Sequence, residues 1–199
     1  VNDPVAVTAE GTPVRIVRNA ETNLGDLCAD AYRALSNADI AFVNGGGIRK
    51  QIEAGDITLD DIYSVHPFGN TMCVIRVTGQ QVLDALEWGA RAVPSENGGF
   101  LQVSGLTYEI HTGIASSAEK DENGMFTRVS GEYRVKNVMV GGQPLELDKT
   151  YTLASHNYML LGHGDGYTMF DGCEVLGEDM MVDNQVLITY ITTTLGGVV

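Results

Sequence analysis

The sequence predicts an α+β fold, namely a single domain in which helices flank a mixed β-sheet. The chain has 199 residues, of which 44% are hydrophobic and 19% charged, a composition that is typical of one globular domain with a sizeable core. Helical and strand patterns are mixed without the strict alternation of a doubly wound sheet. Several of the predicted strands are joined by short glycine turns, which also favours this fold class.

Helices are predicted where apolar residues recur at helical spacing. In residues 24–35 the apolar side chains fall at positions i, i+3, i+4, i+7, i+8 and i+11, which indicates one amphipathic helix. The stretch TLDDIYSV begins with a Thr-x-x-Asp capping box, so a short helix is expected to begin near Thr58 and to end before Pro67. Further helices are predicted for TGQQVLDALEWGARAV and for residues 182–195.

Strands are predicted for the apolar and alternating segments between these helices. Residues 4–18 are expected to hold one or two short strands with a turn at EGT, and residues 113–125 a flexible polar loop. The remaining strands are expected at 38–44, 71–78, 100–112, 126–130, 133–140 and 150–155.

Charge and hydropathy exclude two classes of function. The formal net charge is −14 and no run of Lys or Arg occurs, whereas binding to a nucleic-acid backbone needs a basic patch. No segment approaches the ~18 consecutive apolar residues of a membrane span. Cys28, Cys73 and Cys173 are too scattered for a disulfide framework, so buried free thiols are predicted.

The sequence offers no catalytic machinery of its own. The histidines, His66, His111, His156 and His163, lack the spacings of common metal-binding motifs, and neither a G-x-S-x-G elbow nor a P-loop occurs. The stretch GHGDG holds a histidine and an aspartate two residues apart, but two ligands do not make a metal site. We therefore predict neither catalytic nor metal-ligating residues in this chain.

Three glycine-containing loops combine polar groups with aromatic side chains, as a binding site would. NGGGIR contains Asn44 and Arg49, HPFGNT contains Phe68, and SHNYMLLGHGDGY contains Tyr158 and Asp165. Two aromatic rings on separate loops can stack on a planar base, a carboxylate can accept hydroxyls of a ribose, and arginines can bind a phosphate. The structural alternative is that Phe68 anchors the core, that Tyr158 packs inward, and that the glycines only form turns.

The motifs ETNLGDLCADAYR, VNGGGIR, GDITLDDIYSVHPFGNT and NYMLLGHGDGY together resemble the C-terminal domain of 5′-nucleotidases, a family that includes ecto-5′-nucleotidase and bacterial UDP-sugar hydrolases. The resemblance extends over residues 18–195. It implies that residues 18–199 form a 5′-nucleotidase C-terminal domain and that residues 1–17 lead in from a missing metallophosphoesterase domain. That N-terminal domain would carry two divalent metals of the zinc or manganese type, and the active site would lie between the domains.

The resemblance also assigns substrate-binding positions in this sequence. Phe68 matches the first aromatic residue of a base sandwich, Tyr158 the second, and Asp165 the aspartate that binds ribose hydroxyls. Asn44 matches an asparagine that touches the base. Arg18 and Arg49 match arginines that bind phosphate and sugar. The glycines that would allow close backbone approach to the ligand are Gly45, Gly46 and Gly47.

Two positions depart from the family pattern. The last loop is about one residue longer than usual, so either Tyr158 or Met159 can take the second aromatic position. His163 is unusual beside a phosphate path, where an imidazolium could assist anion binding; we expect it to be solvated instead.

The resemblance implies a nucleotide-recognition domain of a secreted, cell-surface or periplasmic 5′-nucleotidase, inactive when isolated. The parent enzyme would hydrolyse nucleoside monophosphates, UDP-sugars or 2′,3′-cyclic nucleotides to nucleoside and phosphate. The expected partners are an AMP-like nucleotide and the N-terminal metallophosphoesterase domain. The alternatives are a non-catalytic nucleotide-binding or surface-interaction module with the same fold, and an unrelated α+β scaffold.

Overall fold

A computed structural model describes residues 6–7 and 13–199, with side chains from residue 15 onward. The predicted turn at residues 10–12 lies outside the described residues. In chain order the strands are β1 (Ala6–Val7), β2 (Pro13–Val14), β3 (Ile40–Asn44), β4 (Met72–Thr78), β5 (Leu101–Ser104), β6 (Leu106–Ile110), β7 (Ala118–Lys120), β8 (Phe126–Val129), β9 (Val135–Val140), β10 (Gln143–Pro144), β11 (Thr150–His156) and β12 (Glu174–Gly177). The helices are α1 (Asn23–Ser36), α2 (Leu59–Val65), α3 (Gly79–Ala90), α4 (Asn157–Leu160) and α5 (Asp183–Thr189).

A mixed five-stranded sheet forms the centre of the molecule, in the order β12-β4-β11-β3-β5. β11 runs parallel to β3, and the other neighbouring strands pair antiparallel. β6, β9 and β10 form a second, antiparallel sheet, β7 pairs with β8, and β1 pairs with β2. The prediction of a mixed sheet with flanking helices is therefore confirmed.

Both faces of the central sheet are buried. Successive side chains of a strand point to opposite faces, and all five residues of β3 are buried. Ile40 and Phe42 of β3 pack on the same side as α3, whereas Ala41 and Val43 pack on the side of α1 and α5. Each layer of helices thus has its own hydrophobic core against the sheet.

Local sequence signals set the ends of the first two helices. The Thr22 hydroxyl accepts a hydrogen bond from the Gly25 amide at 3.1 Å and caps α1. In α2 the predicted capping box is present, because the Thr58 side chain accepts from Asp61 N–H and the Asp61 carboxylate accepts from Thr58 N–H. α2 ends at Val65, two residues before the proline, which disfavours helical geometry in the residue that precedes it.

The predicted loop at residues 113–125 is wrong in part. Ala118–Lys120 forms a strand that pairs antiparallel with β8, and the Asp121 carboxylate closes the hairpin by accepting from the Asn123 and Met125 amides at 2.9 and 2.8 Å. The Ala-Glu-Lys stretch has no alternating apolar pattern, so its strand depends on pairing with β8, although Ala118 is partly buried against the core.

Two further predictions concern the last helix and the cysteines. The last helix extends over α5 and continues as a π-helical segment, Tyr190–Thr194. Cys28 and Cys73 are buried free thiols as predicted, but Cys173 is only half-buried. None of the helices in the described part of the chain combines the length and apolar composition that a bilayer-spanning helix requires.

Candidate functional site

A cleft of about 530 Å³ lies at one edge of the central sheet. Eight of the nine residues predicted to bind substrate line it: Arg18, Asn44, Gly46, Gly47, Arg49, Phe68, Tyr158 and Asp165. Positions spread over more than 140 residues of sequence are therefore brought to one place.

The topology of the sheet explains this convergence. β3 and β11 are parallel and end at the same edge, whereas β4 and β5 are antiparallel to them and begin there, with His156 opposite Met72 and Asn44 opposite Leu101. The loops that follow β3 and β11 and the loops that precede β4 and β5 consequently meet. These loops carry the glycines, both aromatic residues and the aspartate.

The three glycines after β3 form a 3-10 turn, and the first two pack against backbone. The Gly45 amide donates to the Phe100 carbonyl at 2.7 Å, and a Cβ at Gly45 would lie 2.0 Å from the carbonyl oxygen of Val17. The Gly46 amide donates to the Gly98 carbonyl at 2.7 Å. Gly45 does not line the cleft. The close contact that requires a glycine here is therefore with the backbone of Val17 and not with a ligand.

Two exposed aromatic side chains face the cleft. Phe68 is 59% exposed and Tyr158 is 43% exposed, which is unusual for rings that could have packed inward. Met159 is fully buried. Of the two neighbouring positions, Tyr158 faces the cleft and Met159 belongs to the core.

A hydrogen-bonded network holds the aspartate at the floor of the cleft. Asn44 is 4% exposed, and its Nδ2 donates to Asp165 Oδ2 at 2.6 Å, while its Oδ1 lies 3.0 Å from His156 Nε2. Trp88 Nε1 donates to the Asp165 carbonyl at 2.9 Å. The Tyr158 hydroxyl donates to Asp165 Oδ1 over a longer distance of 3.4 Å. Asp165 has a left-handed φ of 54°, so this network holds a conformation that few non-glycine residues adopt.

Two arginines supply positive charge to the cleft. Arg49 Nη1 donates to the Gly46 carbonyl at 3.2 Å, and its Cζ lies 5.6 Å from the centre of the Phe68 ring. Burial lowers the pKa of Arg18, and the nearby charges of Arg15 and Arg49 lower it further. Arginine nevertheless keeps its charge in proteins, so two cations face one cleft in a chain of net charge −14.

His163 does not line the cleft. Its backbone is left-handed, with φ 56°, and its Nε2 contacts Asp171 Oδ1 near the surface. The histidine therefore lies beside a carboxylate and not among the arginines.

Four residues at or behind the cleft were not predicted from the sequence to have a part in binding. Asn70 and Gly98 line it, and the buried histidines His66 and His156 lie behind it. Asn70 belongs to the HPFGNT motif and could have been named from it. The others carry no local signal, because their positions depend on which strands pair.

Metal ligands are not clustered in the described part of the chain: no group of three or more His, Cys, Asp or Glu residues could hold an ion there.

Comparison with known proteins identifies the fold and motifs. The family model described as "5′-nucleotidase, C-terminal domain" matches residues 4–172. The chain belongs to this family. A 5′-nucleotidase of Vibrio cholerae is 34% identical over 176 residues, which are 88% of this chain. A trifunctional nucleotide phosphoesterase of Bacillus subtilis is 38% identical over 168 residues, 82% of this chain.

Solved structures agree with this assignment. The crystal structure of a 5′-nucleotidase precursor from Thermus thermophilus aligns with a TM-score of 0.76 and 33% identity, and covers 89% of this chain. The alignment covers 34% of that structure's chain. Similarly, the chain spans 28% of the length of the Vibrio relative and 11% of the Bacillus relative. The family and the fold class predicted from the sequence are confirmed, whereas most of each relative has no counterpart here.

Proposed function

We propose that this chain is the substrate-recognition domain of a 5′-nucleotidase and that its cleft binds a nucleotide. One observation carries the proposal: two exposed aromatic rings, a carboxylate held in a network and two arginines all face the same cleft. These groups suit the base, the ribose and the phosphate of one ligand, respectively. Membership of the 5′-nucleotidase family supports the same ligand class.

The base would stack between Phe68 and Tyr158. Two aromatic rings exposed to water do not gain the free energy of burial. A planar base that stacks on one face of each ring would bury them and so would be stabilised. Base stacking on an aromatic side chain contributes about 1–3 kcal/mol. The hydroxyl of Tyr158 also contacts Asp165, so the ring is held at its hydroxyl as well as by its own backbone.

The ribose and phosphate would bind on either side of the glycine turn. Asp165 accepts the ribose hydroxyls, and Arg18 and Arg49 bind the phosphate through charge-assisted hydrogen bonds. Asn44 uses its side-chain amide within the network, so its main role is to orient Asp165. The second N–H and the second lone pair of this amide remain available to hydrogen-bond the edge of the base. Gly46 and Gly47 leave room for the ligand beside the backbone.

The parent enzyme would hydrolyse a nucleoside monophosphate to nucleoside and phosphate, and UDP-sugars and 2′,3′-cyclic nucleotides are further members of the proposed substrate class. Water attack would take place at the two-metal centre of an N-terminal metallophosphoesterase domain, which is the proposed partner. This chain alone binds and orients the substrate but hydrolyses nothing. We place the parent enzyme outside the cell, at its surface or in the periplasm, on the family resemblance.

Replacing Arg49 with alanine tests the phosphate part of the proposal. The wild-type chain is expected to bind AMP more tightly than adenosine, because the phosphate meets two guanidinium groups. In Arg49→Ala this difference should fall by about 1.5 kcal/mol, or roughly ten-fold in affinity. Isothermal titration calorimetry with both ligands measures it, and the melting temperature should change little.

The matched control is Arg128→Ala, since Arg128 pairs with Glu119 on the β7–β8 hairpin and does not line the cleft. It should keep the wild-type preference for AMP. An Arg49→Ala variant that unfolds while any folded remainder keeps its AMP affinity would assign Arg49 a structural part only.

A further inference from the structure

Behind the cleft, a hydrogen-bonded chain leads from a buried histidine to the aspartate. His156 Nε2 lies 3.0 Å from Asn44 Oδ1, and Asn44 Nδ2 lies 2.6 Å from Asp165 Oδ2. His156 itself is 2% exposed and does not line the cleft. It can act on a ligand only through its neighbours, namely the other two residues and Tyr158, whose ring centre lies 5.9 Å from that of His156.

The hydrogen-bond donors and acceptors of His156, Asn44 and Asp165 have only one consistent arrangement. An ionised carboxylate only accepts hydrogen bonds, so Asn44 must turn its NH₂ group toward Asp165. Its carbonyl oxygen then faces His156, and that oxygen needs a donor. Nε2 of His156 must therefore carry a proton.

The environment of His156 fixes its other nitrogen as well. Burial, and then the neighbouring His66, lower the pKa of His156 to about 4, so the ring is neutral at pH 7 and holds one proton. Among the residues that the structure describes, the buried Nδ1 has no hydrogen-bond partner. An orphaned buried nitrogen is destabilising, and an apolar residue at this position would avoid that cost. The Nε2–H group is what distinguishes histidine from an apolar residue here.

We infer that His156 is a positioning residue for ribose recognition: it fixes the Asn44 carboxamide, which in turn holds one oxygen of Asp165 and leaves the other for the sugar hydroxyls. The inference rests on the proposed function, because it takes Asp165 as the ribose ligand. The geometry agrees with this division, since Oδ2 is taken by a short bond from Asn44. Among the residues that the structure describes, Oδ1 has only the long contact of 3.4 Å to the Tyr158 hydroxyl, which a ribose hydroxyl can replace.

The test compares two ligands that differ only in the hydroxyls, adenosine and 2′,3′-dideoxyadenosine. The wild-type chain is expected to prefer adenosine. In His156→Leu the affinity for adenosine should fall about ten-fold while that for dideoxyadenosine stays the same, because the donor to Asn44 is lost. His156→Gln should restore the preference, since its amide can donate to the same oxygen.

His111→Gln is the control, because it removes an imidazole that pairs with Glu109 at the surface and does not line the cleft. It should keep the wild-type preference. A folded His156→Leu chain with the wild-type ratio of affinities would overturn the inference, and so would a His111→Gln chain that loses the ratio equally. A wild-type chain that binds both ligands equally would instead overturn the ribose contact of the proposed function.

A second measurement holds even where His156→Leu fails to fold. Nitrogen NMR of the imidazole ring in the wild-type chain reports which nitrogen carries the proton. A protonated Nε2 and an unprotonated Nδ1 are expected near pH 7. The opposite tautomer would overturn the inference, since Asn44 would then receive no hydrogen bond from the ring.

Discussion

Replacing Gly45 with alanine is expected to lower the free energy of unfolding by about 3 kcal/mol or more. The added Cβ would lie 2.0 Å from the carbonyl oxygen of Val17 and 2.9 Å from its carbonyl carbon. Backbone cannot move aside as the end of a flexible side chain can, so either the turn after β3 or the segment around Val17 must shift. Urea denaturation followed by circular dichroism measures the loss.

Gly98→Ala is the matched control for that substitution. Gly98 lines the cleft, and the nearest atom to its added Cβ is Asp165 Oδ1 at 3.7 Å, an ordinary contact distance. Its stability should lie close to that of the wild type. If Gly45→Ala and Gly98→Ala unfold at the same urea concentration, the close packing of the glycine turn against Val17 is not important for stability.

The second large effect is expected on acidification, through the two buried histidines. Burial lowers the pKa of both His66 and His156 to about 4, against 6.5 for an exposed histidine. Below pH 6.5 the unfolded chain therefore binds protons that the folded chain does not, and the free energy of unfolding falls as the pH drops toward 4. Between pH 7 and pH 5 each histidine should remove about 2 kcal/mol.

His66→Gln isolates this contribution. Its loss of stability between pH 7 and pH 5 should be smaller than that of the wild type by about 2 kcal/mol, whatever its stability at pH 7. Asp26 acts in the opposite direction, because burial raises its pKa to about 6, but it is present in both chains and cancels. Identical slopes in wild type and His66→Gln would show that His66 is not kept neutral by burial.

Parts of the fold could be predicted because their signals are local. The spacing of apolar residues predicts α1, and the capping box at Thr58 predicts the start of α2; both depend on neighbours within a few residues. Ala118–Lys120 could not be predicted, since a short polar strand forms only because β8 is present beside it. Cys173 is half-buried for a similar reason, as its surroundings depend on how distant segments pack.

The site divides in the same way. The motifs name Phe68 and Asp165, and the sheet topology brings them to one cleft. The part played by Gly45 depends on Val17, and the part played by His156 depends on Asn44, 112 residues earlier. Such contacts leave no periodicity or spacing in the sequence, so they become visible only in three dimensions.

The aromatic pair is the centre of the proposed function, and one measurement tests it most directly. The wild-type chain and Phe68→Ala are titrated with adenosine, with chemical shifts recorded by NMR. Saturable shifts are expected for the wild type, and the affinity should be about ten- to one hundred-fold weaker in Phe68→Ala, because one stacking face is lost. Tyr63→Ala removes an aromatic ring that is 48% exposed and outside the cleft, and it should bind as the wild type does. Binding of adenosine by Phe68→Ala with the wild-type affinity would contradict the account.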